Sequence, residues 1–149
     1  MILAGIITDQ LTKFSAISIF RNNPVVILKN VLSFTYVENF GAAFSLFENQ
    51  FFILVPFSIL VTVLCGYFVI KARKASCKKL SLSISMIISG ALGNLTDRIL
   101  RGYVVDFISA DFIDFPVFNV ADILVVTGGI LTVALIFFTK EGALLDSSK

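Results

Sequence analysis

Aspartates and asparagines recur in this chain beside runs of apolar residues. Asn39 lies in ENFGAAFS, Asn94, Asp97 and Arg98 in GALGNLTDR, Asp106 in YVVDFI, and Asn119 and Asp122 in FPVFNVAD. Histidine is absent, which removes Ser-His-Asp and Cys-His catalysis and any zinc site built on imidazole. Carboxylates, amides, hydroxyls and cations are left to do chemistry. Asp106 follows two valines, and Asp122 opens an apolar stretch. Two carboxylates meeting in a low-dielectric pocket cannot both ionise cheaply, so they share a proton and titrate as a coupled pair. That state suits peptide hydrolysis: one carboxylate takes a proton from water while its protonated partner hydrogen-bonds the scissile carbonyl. Such chemistry requires no metal and no organic cofactor. By spacing alone, Asp97 with Asp106 is as good a pair as Asp106 with Asp122.

The elements that position these residues are membrane spans. Of 149 residues, 57% are hydrophobic and 15% charged, with a mean hydropathy of +0.95. So little charge cannot cover a water-exposed surface of a protein this small. The clearest span is Phe51 to Ile70, uncharged throughout, close to the ~20 residues that cross a hydrocarbon core of ~30 Å. Pro56 falls in its first turns, where a missing N–H does least harm. A second span covers about residues 80–97, with small residues at Ser83, Ser85, Ser89, Gly90, Ala91 and Gly93 that let a neighbouring helix approach. Another covers about residues 121–139. The first, about 1–20, is apolar only from Met1 to Thr8 before Asp9, Gln10 and Lys13 follow. Either those polar residues belong to the span and pack inside a bundle, or the native start lies further upstream. A cleaved signal peptide is disfavoured, because Asp9 interrupts the apolar run and no small-residue cleavage site follows.

Lys71, Arg73, Lys74, Lys78 and Lys79 crowd one short connection, which places it in the cytoplasm. Four spans then put both termini inside and the segments at about 21–50 and 98–120 outside. All the polar blocks gather at that outer face. Pro24 to Glu38 carries strand signals, with Asn30 as a turn. Tyr103, Phe107, Phe112, Phe115 and Phe118 suit the headgroup interface. The expected fold is mainly α, a single membrane domain over 1–149: a four-transmembrane-helix bundle with a small β-sheet on the outer face. The tail from Glu141 to Lys149 is expected to fray. Cys65 and Cys77 read as incidental thiols. A net charge of +2 and no basic–aromatic runs argue against nucleic acid.

Several polar residues have simpler readings. Asn119 can cap the last helix, with Asp122 favoured by its positive end. Asn94 and Arg98 can merely share a helix face. Arg98 and Arg101 can anchor headgroups, Gly41 can serve a turn, and Asp111 and Asp114 read as solvated loop residues. A small ion or proton carrier using intramembrane carboxylates is the alternative to a peptidase, though its acids belong at mid-membrane depth. A non-catalytic scaffold gives the outer cluster no purpose.

The four blocks resemble, in order, those of the lipoprotein signal peptidases (signal peptidase II). DQLTK at Asp9 to Lys13 looks like the first, and NFGAAFS from Asn39 the second. GALGNLTDR with VVDF looks like the third, and FPVFNVAD the last. The resemblance spans Asp9 to about Phe138. It implies four transmembrane helices with an outer-face sheet, in a multi-pass protein of the bacterial cytoplasmic (inner) membrane. It implies an aspartyl endopeptidase that cuts signal peptides from prolipoproteins just before a diacylglyceryl cysteine, acting without cofactor or metal. By that resemblance Asp106 and Asp122 are catalytic. Asp9, Lys13, Asn39, Gly41, Asn94, Arg98 and Asn119 support the dyad or bind substrate. Its partners are the lipidated prolipoprotein and membrane lipid, and the expected state is a monomer.

Overall fold

The computed structural model describes residues 1–41 and 49–141. The expected loop and motif residues at 42–48, and the expected frayed tail beyond Glu141, lie outside the described residues.

Among the described residues, four α-helices and three strands follow one another as α1 (Ile2–Phe20), β1 (Val25–Leu28), β2 (Leu32–Asn39), α2 (Phe51–Lys74), α3 (Lys78–Arg101), β3 (Val104–Ala110) and α4 (Val120–Phe138). Helices α1, α2 and α4 are long and apolar enough to cross a membrane. Their burial shows what solvent they suit. Only 11% of the apolar window of α2, and the same share of α4, is buried inside the protein. Large side chains such as Phe52, Phe137 and Phe138 point outward. An apolar exterior of this kind matches hydrocarbon.

Helix α3 is not among those three, and its interior position explains why. It packs against all three other helices and buries Ser81, Ser83, Ser85 and Ser89. Three of these hydroxyls donate back to carbonyls one turn earlier: Ser83 to Leu80, Ser85 to Ser81 and Ser89 to Ser85. The polar atoms are thus satisfied within the helix, which lets small side chains line a close helix–helix contact. The helix ends at Gly102, whose φ of 82° is left-handed, with its N–H bonded to Arg98 O. The chain then turns directly into β3.

The sheet has the order β1-β2-β3, antiparallel throughout. Its β1–β2 hairpin turns at Asn30, with φ of 61°, where the sequence placed a turn. The strand β3 was not anticipated: residues 98–120 read as an aromatic outer segment. Its first four residues, Val104 to Phe107, are all buried, so the chain shows no in–out alternation there. Phe107 accordingly lies in a core with Ala16 and Val105, flanked by Phe20, Phe34 and Tyr36, and not at a headgroup interface. Phe112 and Phe115 are exposed. That core fastens the sheet to the end of α1. A second core at the far end joins Val69 and Ala72 of α2 to Leu80, Ile84 and Ile88 of α3.

Candidate active site

Helix α4 begins with a capping box. Asn119 Oδ1 accepts the N–H of Asp122 at 3.0 Å, and Asp122 Oδ2 accepts the N–H of Asn119 at 3.1 Å. The capping reading of Asn119 is therefore correct, but it describes only half of the side chain. Asn119 Nδ2 donates to Asp106 Oδ1 at 2.6 Å, to Asn94 Oδ1 at 3.2 Å and to Val105 O at 3.3 Å. One amide thus joins the two aspartates. Its approach to β3 is fixed by Phe118, which exchanges backbone hydrogen bonds with Ile108 at 3.0 and 2.8 Å.

Asp106 projects from β3 opposite Val37 and is 2% exposed. Its second oxygen accepts from Asn39 Nδ2 at 2.8 Å. Asn39 Oδ1 in turn accepts the N–H of Gly41, and Arg98 Nη2 donates to Gly41 O at 2.9 Å. Burial, and next the charge of Asp122, push the Asp106 carboxyl up to about 7; hydrogen bonds from Asn39 and Asn119 and the charge of Lys13 act the other way. Asp122 Oδ1 accepts from Asn94 Nδ2 at 2.8 Å.

Both aspartates line a cavity of about 640 Å³ together with Asn39, Asn94 and Arg98. Its walls are apolar: Leu54 and Phe57 from α2, Val125 and Val126 from α4, and Phe115 and Phe118 from the segment before α4. Asn94 and Arg98 do share a helix face, and that face looks into the cavity. Asp9, Lys13 and Gly41, expected to support the dyad or bind substrate, stand behind the cavity wall or beside it. Asp9 and Lys13 are fully buried and do not line the cavity, and Gly41 lies in the turn that Asn39 and Arg98 hold.

Asp97, the rival partner for Asp106, faces away from the cavity. It is fully buried, and Lys13 Nζ is 3.0 Å from its Oδ2. Arg101 is paired with its other oxygen. Arg101, read as a possible headgroup anchor, thus belongs to this internal group, as does Gln10, which donates to Asp9, Gly93 O and Asp97. The i,i+4 spacings of Asp9 with Lys13 and Asp97 with Arg101 were the available signal. Asp111 accepts from Ser33 Oγ at 3.0 Å and Ser109 Oγ at 2.6 Å, so this exposed side chain is tied to the sheet and not merely solvated. Among the described residues, no group of three or more His, Cys, Asp or Glu could hold a metal.

The sequence profile of signal peptidase II matches residues 1–138. The chain belongs to the signal peptidase II family. It is 43% identical to the lipoprotein signal peptidase of Clostridium tetani over 150 residues, covering 98% of this chain and 94% of that protein. It is 45% identical to that of Caldicellulosiruptor bescii over 144 residues, covering 95% and 90%. A solved structure described as a bacterial membrane enzyme, obtained by the in meso method at 2.3 Å, superposes with a TM-score of 0.80 at 30% identity. It covers 99% of this chain and 86% of that one. As a member of the signal peptidase II family the protein is an aspartic-type peptidase of the membrane. The carrier alternative has no counterpart in these findings.

Proposed function

We propose that the protein removes signal peptides from diacylglyceryl-modified bacterial prolipoproteins, cutting before the lipidated cysteine, with Asp106 and Asp122 as the catalytic dyad. One observation carries the assignment. The two carboxyls open into the same apolar cavity and are bridged by Asn119 and Asn94. Burial and the charge of Asp122 push Asp106 up to about 7, which favours a pair that shares one proton near neutral pH. The ionised carboxylate removes a proton from water as the water oxygen attacks the scissile carbonyl carbon. The protonated carboxyl donates to the carbonyl oxygen, forming a neutral tetrahedral diol. Collapse of that diol breaks the C–N bond: the proton taken from water passes to the leaving nitrogen, and the other carboxylate takes a proton back from a diol hydroxyl as the new carboxyl carbonyl forms. The dyad is restored with one proton.

The apolar walls suit a substrate that arrives from lipid, and the Arg98 guanidinium offers donors to its main-chain carbonyls. Four crossings, with α3 as the fourth, put the basic Lys71 to Lys79 connection and both termini in the cytoplasm. The sheet and the dyad then stand at the outer face of the inner membrane, in a monomer bounded by lipid. Asp106→Asn and Asp122→Asn keep size and hydrogen-bonding capacity but remove the ionisable proton. Each is expected to abolish cleavage of a lipidated prolipoprotein by purified protein while thermal unfolding still shows a folded chain. Near-normal turnover by Asp106→Asn would reject the dyad.

A further inference from the structure

Behind the aspartates lies a charged group that the cavity does not reach. Asp9, Lys13 and Asp97 are each 0% exposed. Lys13 Nζ is 2.9 Å from Asp9 Oδ2 and 3.0 Å from Asp97 Oδ2, and it donates to Asn94 Oδ1 at 2.8 Å. An ammonium has three N–H bonds, so all are used. Burying such charges is costly, and apolar residues of similar volume often stabilise a fold as well or better. Stability is thus a weak reason for this group. Its contacts with the backbone supply a stronger one. The N–H of Val105, directly before Asp106, donates to Asp97 Oδ2 at 3.1 Å. The N–H of Ala121, directly before Asp122, donates to Asp9 Oδ1 at 2.9 Å.

We infer that Asp9, Lys13 and Asp97 form a spacer that fixes the separation of the two catalytic aspartates, with Asp97 as the positioning residue for Asp106 and Asp9 for Asp122. Each carboxylate grips the backbone N–H of the residue before one aspartate, and the ammonium between them sets the distance. Lys13 also fixes which way Asn94 faces: its oxygen toward Lys13, and its nitrogen toward Asp122. Gln10 and Arg101 hold the other oxygen of Asp97, which stops that carboxylate from rotating. Proton sharing between two carboxyls depends on their distance in a low-dielectric site. A misplacement of ~1 Å can cost about 10²-fold in rate.

The inference rests on Asp106 and Asp122 being the reacting pair, so the test carries Asp106→Asn as a control. Full-chain Asp97→Asn and Asp97→Glu are purified in detergent, and kcat, KM and their pH dependence are measured on a lipidated prolipoprotein beside thermal unfolding. The charged groups facing Asp106 are Asp122 from α4, Lys13 from α1 and Arg98 from α3. Asp97→Asn keeps an oxygen for Val105 but removes one anion from Lys13. Its kcat is expected to fall about 10²-fold per folded molecule, with KM little changed and a limb of the pH profile moved by about half a unit or more. Should that variant not fold, Asp97→Glu keeps the charge while displacing the carboxylate by one methylene, and the same changes are expected. Unaltered kcat and pH limbs with only a lower unfolding temperature would make the group purely structural and overturn the spacer. Activity as low as that of Asp106→Asn at every pH would overturn it too, making Asp97 a reacting group. Turnover by Asp106→Asn would instead reject the dyad, so the two failures are read separately.

Discussion

Asn119 caps a helix with its oxygen and joins two aspartates with its nitrogen, and these roles fail together in Asn119→Ala. The lost cap costs about 1 kcal/mol, while the lost bridge lets Asp106 and Asp122 drift. Activity is therefore expected to drop well beyond what the change in thermal unfolding explains, when both are measured on one preparation. Asp106 makes a separate prediction through pH. Its carboxyl titrates near 7 in the folded protein against an ordinary value of 3.8, so the native state binds the proton more tightly than the unfolded chain. Stability from this group is then greatest at low pH and declines between about pH 4 and pH 7, by on the order of a few kcal/mol. Asp106→Asn should flatten that decline; an unchanged pH dependence of unfolding would show that Asp106 is not the group. Asp111→Asn is a contrasting case: exposed and bonded by two serines, it should alter stability by no more than about 0.5 kcal/mol and leave cleavage intact. At this scale residue types and spacing named the residues but not their pairing, which only the family resemblance implied. Asp97 and Asp122 both stand near apolar residues, and only tertiary structure turns Asp97 toward Lys13 and Asp122 toward the cavity.

The elements were legible where one face meets lipid and obscure where both faces are covered. Helix α2, uncharged through its span, announces itself by composition. The hairpin of β1 and β2 is announced by its β-branched residues and by Asn30. Strand β3 is covered on both sides, so Val104 to Phe107 lost the alternation that marks a half-buried strand. Helix α3 carries its serines and glycines inward. Its close approach to α1 is testable at Gly93. A Cβ there would stand 2.5 Å from Asp9 Oδ2, and Asp9 cannot retreat because Lys13 and the N–H of Ala121 hold it. Gly93→Ala is expected to cost about 1–3 kcal/mol, as overpacking does, and to lower activity by moving Asp9. Gly129→Ala meets nothing within 4 Å and serves as the control, expected to unfold at or slightly above the temperature of the unmodified chain. Equal unfolding temperatures and activities for the two variants would reject the close packing of α1 on α3.

At the scale of the whole molecule, polar and apolar residues exchange their usual places: serines and ion pairs lie inside, while leucines and phenylalanines face outward. That inversion was readable from composition because 15% charge cannot solvate a surface of this size. The proposed direction of insertion rests on charge placement. The sheet packs on the end of α1, and the basic connection between α2 and α3 adjoins the core at the other end, so the two must lie on opposite sides if the bundle crosses the membrane. Basic residues in short loops are retained in the cytoplasm, which is the ground for the proposed placement of the sheet and the two aspartates outside. Cysteine labelling of intact cells tests this with a membrane-impermeant reagent, in a chain whose Cys65 and Cys77 are replaced by serine. Lys29→Cys, exposed beside the hairpin turn, is expected to react from outside. Lys74→Cys, exposed at the end of α2, is expected to react only after the cells are opened; Lys71, Arg73, Lys78 and Lys79 keep that connection basic. The reverse pattern would place the two aspartates in the cytoplasm and would overturn the topology and the proposed access of substrate together.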